Sequence, residues 1–180
     1  IMITTCPVPD DVNPLMLTGF QFSVAKLPEL TYWIQQTEIP SISLGSVETA
    51  NPLVNIKQPG EKIEFAELQV QFLVDSQMKN WNSIFFWMRG LGFPESHEQY
   101  REFLNFEYNR SLRFEASKMV SDATLIVLDG THRPMQSFTF IDMFPTNLSG
   151  IEFDATSATA QQATARATFA YSYFVMNDNV

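Results

Sequence analysis

Histidine, cysteine and paired carboxylates are the side chains through which a chain of this size does most of its chemistry, and here they are few and scattered. His97 and His132 are the only histidines, far apart and without the HxxxH or HxH spacing that brings two imidazoles to one metal. Cys6 stands alone, which rules out an intrachain disulfide and any zinc site built on several cysteines. It reads as a small, semi-buried residue near a terminus. The acidic pairs Asp10/Asp11 and Glu61/Glu64 read as solvated surface. No GxSxG nucleophile elbow is present, although a Ser-His-Asp set converging in space stays open on sequence order alone. Gly90-Leu91-Gly92 follows a helical stretch instead of opening one and lacks the further glycine and lysine of a phosphate loop; it reads as a helix stop. Asn147-Leu148-Ser149 fits a glycosylation sequon, which carries no weight without a secretion signal. The bases Arg101, Arg110, Arg113, Lys118 and Arg133 form no run that would mark a nucleic-acid patch. The expectation is therefore no catalytic, cofactor-binding or metal-ligating residue, no cofactor, and no enzyme.

The totals point the same way. At 180 residues, with 45% hydrophobic side chains and 16 Phe, the chain can build one real core. Charged residues are only 17%, against roughly 25% in an average soluble protein. Much apolar surface must be hidden, in a core or between subunits. The net charge of −9 argues against tight nucleic-acid binding, which needs Lys and Arg on phosphates. It still allows DNA to slide past an acidic wall. No run of 18 or more apolar residues predicts a membrane span. The first residues carry neither a basic region nor an apolar stretch of the signal-peptide kind, so folding in a reducing cytoplasm is the simplest reading.

The elements that would position any site are mostly strands. Residues 1–19 hold Pro7, Pro9 and Pro14 and predict an extended amino-terminal arm, with 20–180 as one β-domain. Period-two alternation predicts strands at Phe20–Val24, Ile63–Val74 and Gln136–Met143; Tyr32–Ile39, ended by Pro40, gives another strand, and Ala123–Leu128, rich in β-branched residues, reads as extended. After a corner at Phe144–Asn147 another strand starts at Ile151 and Phe153. A last long one places Ala167, Phe169, Tyr171, Tyr173 and Val175 on one face. Asp129-Gly130 is a turn signal. Trp81, Ile84, Phe85 and Met88 form a helical stripe, predicting one helix over about 76–90 with Asp75 or Ser76 as N-cap. Residues 95–120 have no clear pattern: Tyr100, Phe103, Leu104 and Phe106 suit a short helix or an ordered loop, and Leu112–Met119 reads as extended. Residues 44–62 predict a long inter-strand loop, broken by Pro52, Pro59 and Gly60 yet carrying Val47, Leu53, Val54 and Ile56. Long loops in small domains tend to be functional or disordered. Its apolar residues either cover their own domain or dock on a neighbour.

The stretch Phe138-Thr139-Phe140-Ile141-Asp142-Met143-Phe144-Pro145-Thr146-Asn147-Leu148-Ser149-Gly150-Ile151-Glu152-Phe153-Asp154, followed by a spacer and the aromatic strand to Val175, resembles the tail-tube proteins of contractile-tailed bacteriophages. Phe72-Leu73-Val74-Asp75 leading into Trp81, Trp87-Met88 and Gly90-Leu91-Gly92-Phe93-Pro94 is similar to the same family's strand-to-helix passage. Ser121-Asp122-Ala123-Thr124-Leu125 resembles it too. Together these cover about two thirds of the chain, and their order carries more weight than any single motif. The resemblance implies an antiparallel β-sandwich or barrel with one flanking helix, forming hexameric rings that stack into a hollow tube. It implies sheets joined between subunits, with the 44–62 segment reaching a neighbour through Val47, Pro52, Leu53, Val54, Ile56, Pro59 and Gly60. Six chains at −9 would carry roughly −54, easing DNA passage by repulsion.

The leading expectation is thus the major tube subunit of a virion tail, assembled in the host bacterial cytoplasm. Its partners would be itself, the sheath, baseplate and tail-terminator proteins. Tape measure protein and DNA would pass through the lumen without specific binding, and no membrane is involved. A tube-initiator or tail-terminator ring of the same fold is the alternative within the class, and tailocin or type VI secretion tubes share that fold. From a different class comes a monomeric β-barrel holding a small apolar ligand.

Overall fold

The strongest period-two signals become strands because each has one face to bury. In the computed structural model, which describes residue 15, residues 17–92, 95–99, 101, 119–153, 156 and 162–178, Leu68, Val70 and Phe72 of β5 (Leu68–Leu73) are sealed from solvent. Gln69 and Gln71, between them, look outward. β1 (Phe20–Val24) likewise buries Phe22 and Val24. The other strands are β2 (Ile34–Thr37), β3 (Ile42–Thr49), β4 (Ile56–Phe65), β6 (Ser121–Leu128), β7 (Pro134–Leu148), β8 (Thr164–Ala170) and β9 (Tyr173–Asp178). Seven of them form one antiparallel sheet in the order β1-β6-β7-β8-β5-β2, with β9 also on β7. The fold is thus mainly antiparallel β with a single helix, as the resemblance implied.

β7 belongs to two layers. Its first half pairs with β6 and β9, and its second half with β8. Within the predicted corner at Phe144–Asn147 the register with β8 shifts between Pro145 and Asn147, and a further bend precedes it at Asp142. There β7 carries one more residue than β6 between the pairs Phe140–Ala123 and Met143–Ser121, and a β-bulge of that kind bends a strand. Asp142 has φ 54, a conformation Asp tolerates better than most residues, and its N–H donates to Asp122 Oδ1 at 3.2 Å. Opposite the corner, Tyr171 and Ser172 interrupt β8 and β9. That break shifts the alternation by one, so Ala167 and Phe169 are buried while Tyr173 and Val175 are exposed. The single-faced final strand is corrected accordingly. Ile151–Phe153 has no strand structure. Both layers feed one core, in which Phe22, Phe72, Phe140 and Phe169 are fully enclosed.

The helix α1 spans Lys79–Gly92, later than the predicted 76–90. Asp75 opens a turn, accepting at its carbonyl from the Met78 N–H at 2.8 Å, and Met78 at φ 55 closes it. Buried Asn80 then ties the helix to β5: its amide donates to Leu73 O at 2.7 Å, and its oxygen accepts from the Asp75 and Trp81 N–H groups. The buried stripe is Asn80, Ile84, Trp87 and Gly90, turned from the predicted one, so Phe85 faces outward and Gly90 lies inside the helix. Tyr32 belongs to a 3-10 turn, Thr31–Trp33, ahead of β2. The turn after β6 takes in residues 129–133, with the Asp129 carboxylate accepting from the Thr131 hydroxyl and from the N–H groups of Thr131 and Arg133. The Thr131 hydroxyl does most to hold the Asp129 carboxyl below its usual range, followed by the Arg133 N–H. Residues 97–99 and 101 are helical. Most of the amino-terminal arm, and Tyr100, Phe103, Leu104, Phe106 and residues 112–118, lie outside the described residues.

Candidate subunit interface

The segment predicted as a long loop is a β-hairpin, β3 paired antiparallel with β4 as a separate two-stranded sheet. Every residue from 42 to 59 is exposed, on both faces, so no buried side imposes the alternation by which a strand is recognised. Pro59 and Gly60, the supposed breakers, sit inside β4. Gly60 is required there. A Cβ on it would lie 2.6 Å from the Gly45 carbonyl oxygen and 2.8 Å from its carbonyl carbon, which is backbone and cannot yield. At this point Gly45 of β3 faces three residues of β4, Gly60, Glu61 and Lys62, between the pairs Leu44–Ile63 and Ser46–Pro59.

The seven residues singled out from sequence lie together on this element. Val47 is on β3, Pro52, Leu53 and Val54 are in the connecting turn, and Ile56, Pro59 and Gly60 are on β4. Val47 is 58% and Leu53 95% exposed. Ile42, Leu44 and Ile63 are as open and were missed, because Ile63 was grouped with β5. The chain in fact breaks at Ala66–Glu67. A solitary two-stranded hairpin is marginally stable in water, and its one ion pair, Lys57–Glu48 at 3.7 Å, is exposed and contributes little. Exposed apolar surface of this kind is a common mark of interaction sites.

The hairpin is anchored at its base. Ala66 N–H donates to Ser41 O at 3.0 Å, and the Tyr171 hydroxyl donates to Ala66 O at 2.8 Å. The Phe65 ring stands 5.3 Å from Phe174 and 6.1 Å from Tyr171. Burial pushes the Tyr171 phenol up to about 12. Beside this cluster runs β9, whose Tyr173, Val175 and Met176 are exposed. On the helix, Phe85 stacks on Trp81 at 5.6 Å, and Phe86 projects to solvent under Arg89. Among the described residues no three His, Cys, Asp or Glu side chains gather as a metal site requires, and no helix is long and apolar enough to cross a membrane. His132 is in the turn between β6 and β7, and His97 follows α1.

The chain is an antiparallel β body with one helix and a projecting apolar hairpin, and comparison with known proteins places it in a family. The profile of the family described as "Phage tail tube protein" matches residues 8–177. The chain belongs to the phage tail tube protein family. This tail tube family member is 26% identical over 144 residues to the tail tube terminator protein of Enterobacteria phage T4, covering 78% of this chain and 74% of that protein. Among solved structures, the tube-terminating cap of the anti-feeding prophage superposes with a TM-score of 0.59 at 16% identity, over 99% of this chain and 100% of that one. The sheath/tube terminator of the PVC extracellular contractile injection system gives 0.55 at 19%, over 92% and 97%. These likenesses establish the fold. The family makes the chain a structural phage tail protein.

Proposed function

We propose that the chain is a tail tube terminator: a hexameric ring of identical copies that sits on the end of the phage tail tube and stops its growth. The observation that carries this reading is the match to the T4 terminator along most of both chains. It moves the assignment from the major tube subunit to the alternative ring protein of the same fold. The protein acts without catalysis, as a collar in the virion tail, put together in the host bacterial cytoplasm. Its partners are further copies of itself, the last ring of the tube, and the sheath components meeting it there. DNA passes through the opening without specific contacts, in keeping with the net charge of −9.

In this reading the hairpin tip is the docking arm. Val47, Leu53, Val54 and Ile56, with Pro52 and Pro59 stiffening the turn and strand, engage the neighbouring ring of the tube. The ligand-barrel alternative loses support because the interior is filled by Phe22, Phe72, Phe140 and Phe169. The family description favours a tube subunit as the second reading. Negative-stain electron microscopy with sedimentation separates the two. The terminator gives single six-fold rings that never stack and that arrest the growth of its tube protein. Hollow filaments from this chain alone would hand the assignment back to the tube subunit.

A further inference from the structure

The hairpin carries two apolar surfaces, not one. Side chains alternate along a strand, and directly paired residues share a ribbon face. The pairs Ile42–Phe65 and Leu44–Ile63 put four apolar side chains on one face at the base. The pairs Val47–Gln58 and Thr49–Ile56 put Val47 and Ile56 on the opposite face, nearer the tip, while Glu48 and Lys57 pair behind them. The apolar side changes over at the bulge where Gly45 presses against Gly60.

Resting on the ring reading above, we infer that the base face is a separate docking surface and that its occupant is a second copy of this chain in the same ring. The base face runs through Phe65 into Tyr171 and Phe174. From there it continues to β9, whose outer edge pairs with no strand among the described residues. Apolar side chains and an unpaired strand edge thus lie along one flank of the body. A ring needs one such flank on every copy to meet a different patch on the next, a heterologous contact that closes by rotation. The tip serves another contact for reasons of reach. Eight residues of β3 at about 3.4 Å each carry it some 25 Å or so from the base, with its apolar side chains on the other ribbon face.

Two double variants test the division. Leu44→Asp with Ile63→Asp charges the base face, and Val47→Asp with Ile56→Asp charges the tip. All four side chains are exposed, so both proteins keep the wild-type melting profile. In sedimentation velocity the base variant self-associates at least about a hundredfold more weakly than wild type, the scale of losing a hot spot. The tip variant still forms rings but no longer caps tubes. Rings from the base variant at wild-type concentration would overturn the inference, and so would equal loss of rings in both variants. A wild-type chain that stays monomeric at every concentration sinks the ring reading, and the face assignment with it.

Discussion

Gly60 and Tyr171 show how single side chains govern an element that buries almost nothing of itself. Gly60 has no room for a Cβ because the Gly45 backbone is already there. Gly60→Ala should cost about 1–3 kcal/mol locally, the range for forced overpacking. It should weaken ring assembly while the melting of the body is unchanged, as calorimetry and sedimentation on the same sample would show. Tyr171 holds the hairpin base through its hydroxyl, and its raised pKa of about 12 sets a direction. The folded state keeps the proton more tightly than an unfolded chain with its ordinary value near 10, so the stabilisation is complete below pH 10. It is lost as pH rises toward 12. A phenolate titration by ultraviolet absorbance should show a late phase that Tyr171→Phe removes. Identical titrations of the two proteins would mean that Tyr171 is not held as described.

Elements were legible from sequence where burial forces a pattern. β1 and β5 announced themselves because one face of each is sealed, and a one-residue slip there would expose every apolar side chain. α1 was found, and Trp81, Ile84 and Met88 of its stripe do meet the core, but Phe85 does not, since Trp81, Phe85, Phe86 and Trp87 offer aromatic residues in every direction and only the core decides between them. Trp87 is buried against Phe169, its indole N–H donating to Met119 O at 2.9 Å, whereas Phe86 is solvent-facing. Trp87→Ala should therefore cost about 3–5 kcal/mol, and Phe86→Ala within about 0.5 kcal/mol, both read from denaturant midpoints. The hairpin was illegible as a strand pair because, in one chain, neither of its faces is buried. Its apolar residues were visible and led to the tip being proposed as an interface, while the base face went unnoticed because Ile63 was read as part of β5. Limited proteolysis of the free protein should cut within residues 50–55, the exposed turn, and the ring docked on its tube should resist. Cutting at equal rates in both forms would show that the turn is not covered on assembly.

For the whole molecule, the charge of −9 makes each copy repel the next, and that repulsion is screened over roughly 10 Å at 0.1 M salt. Ring formation should therefore strengthen as salt is raised from low ionic strength, followed by sedimentation. Weaker rings at higher salt would point to ion pairs between subunits as the main cohesion. The shared strand β7 has a consequence of a different kind. Because β7 pairs with β6 and β9 along its first half and with β8 along its second, it joins the two parts of the sheet, and losing it would release both. In the proposed ring a pull would reach both parts through β7, and the hairpin tip, tied to the body only at its foot, would be the part left free to give.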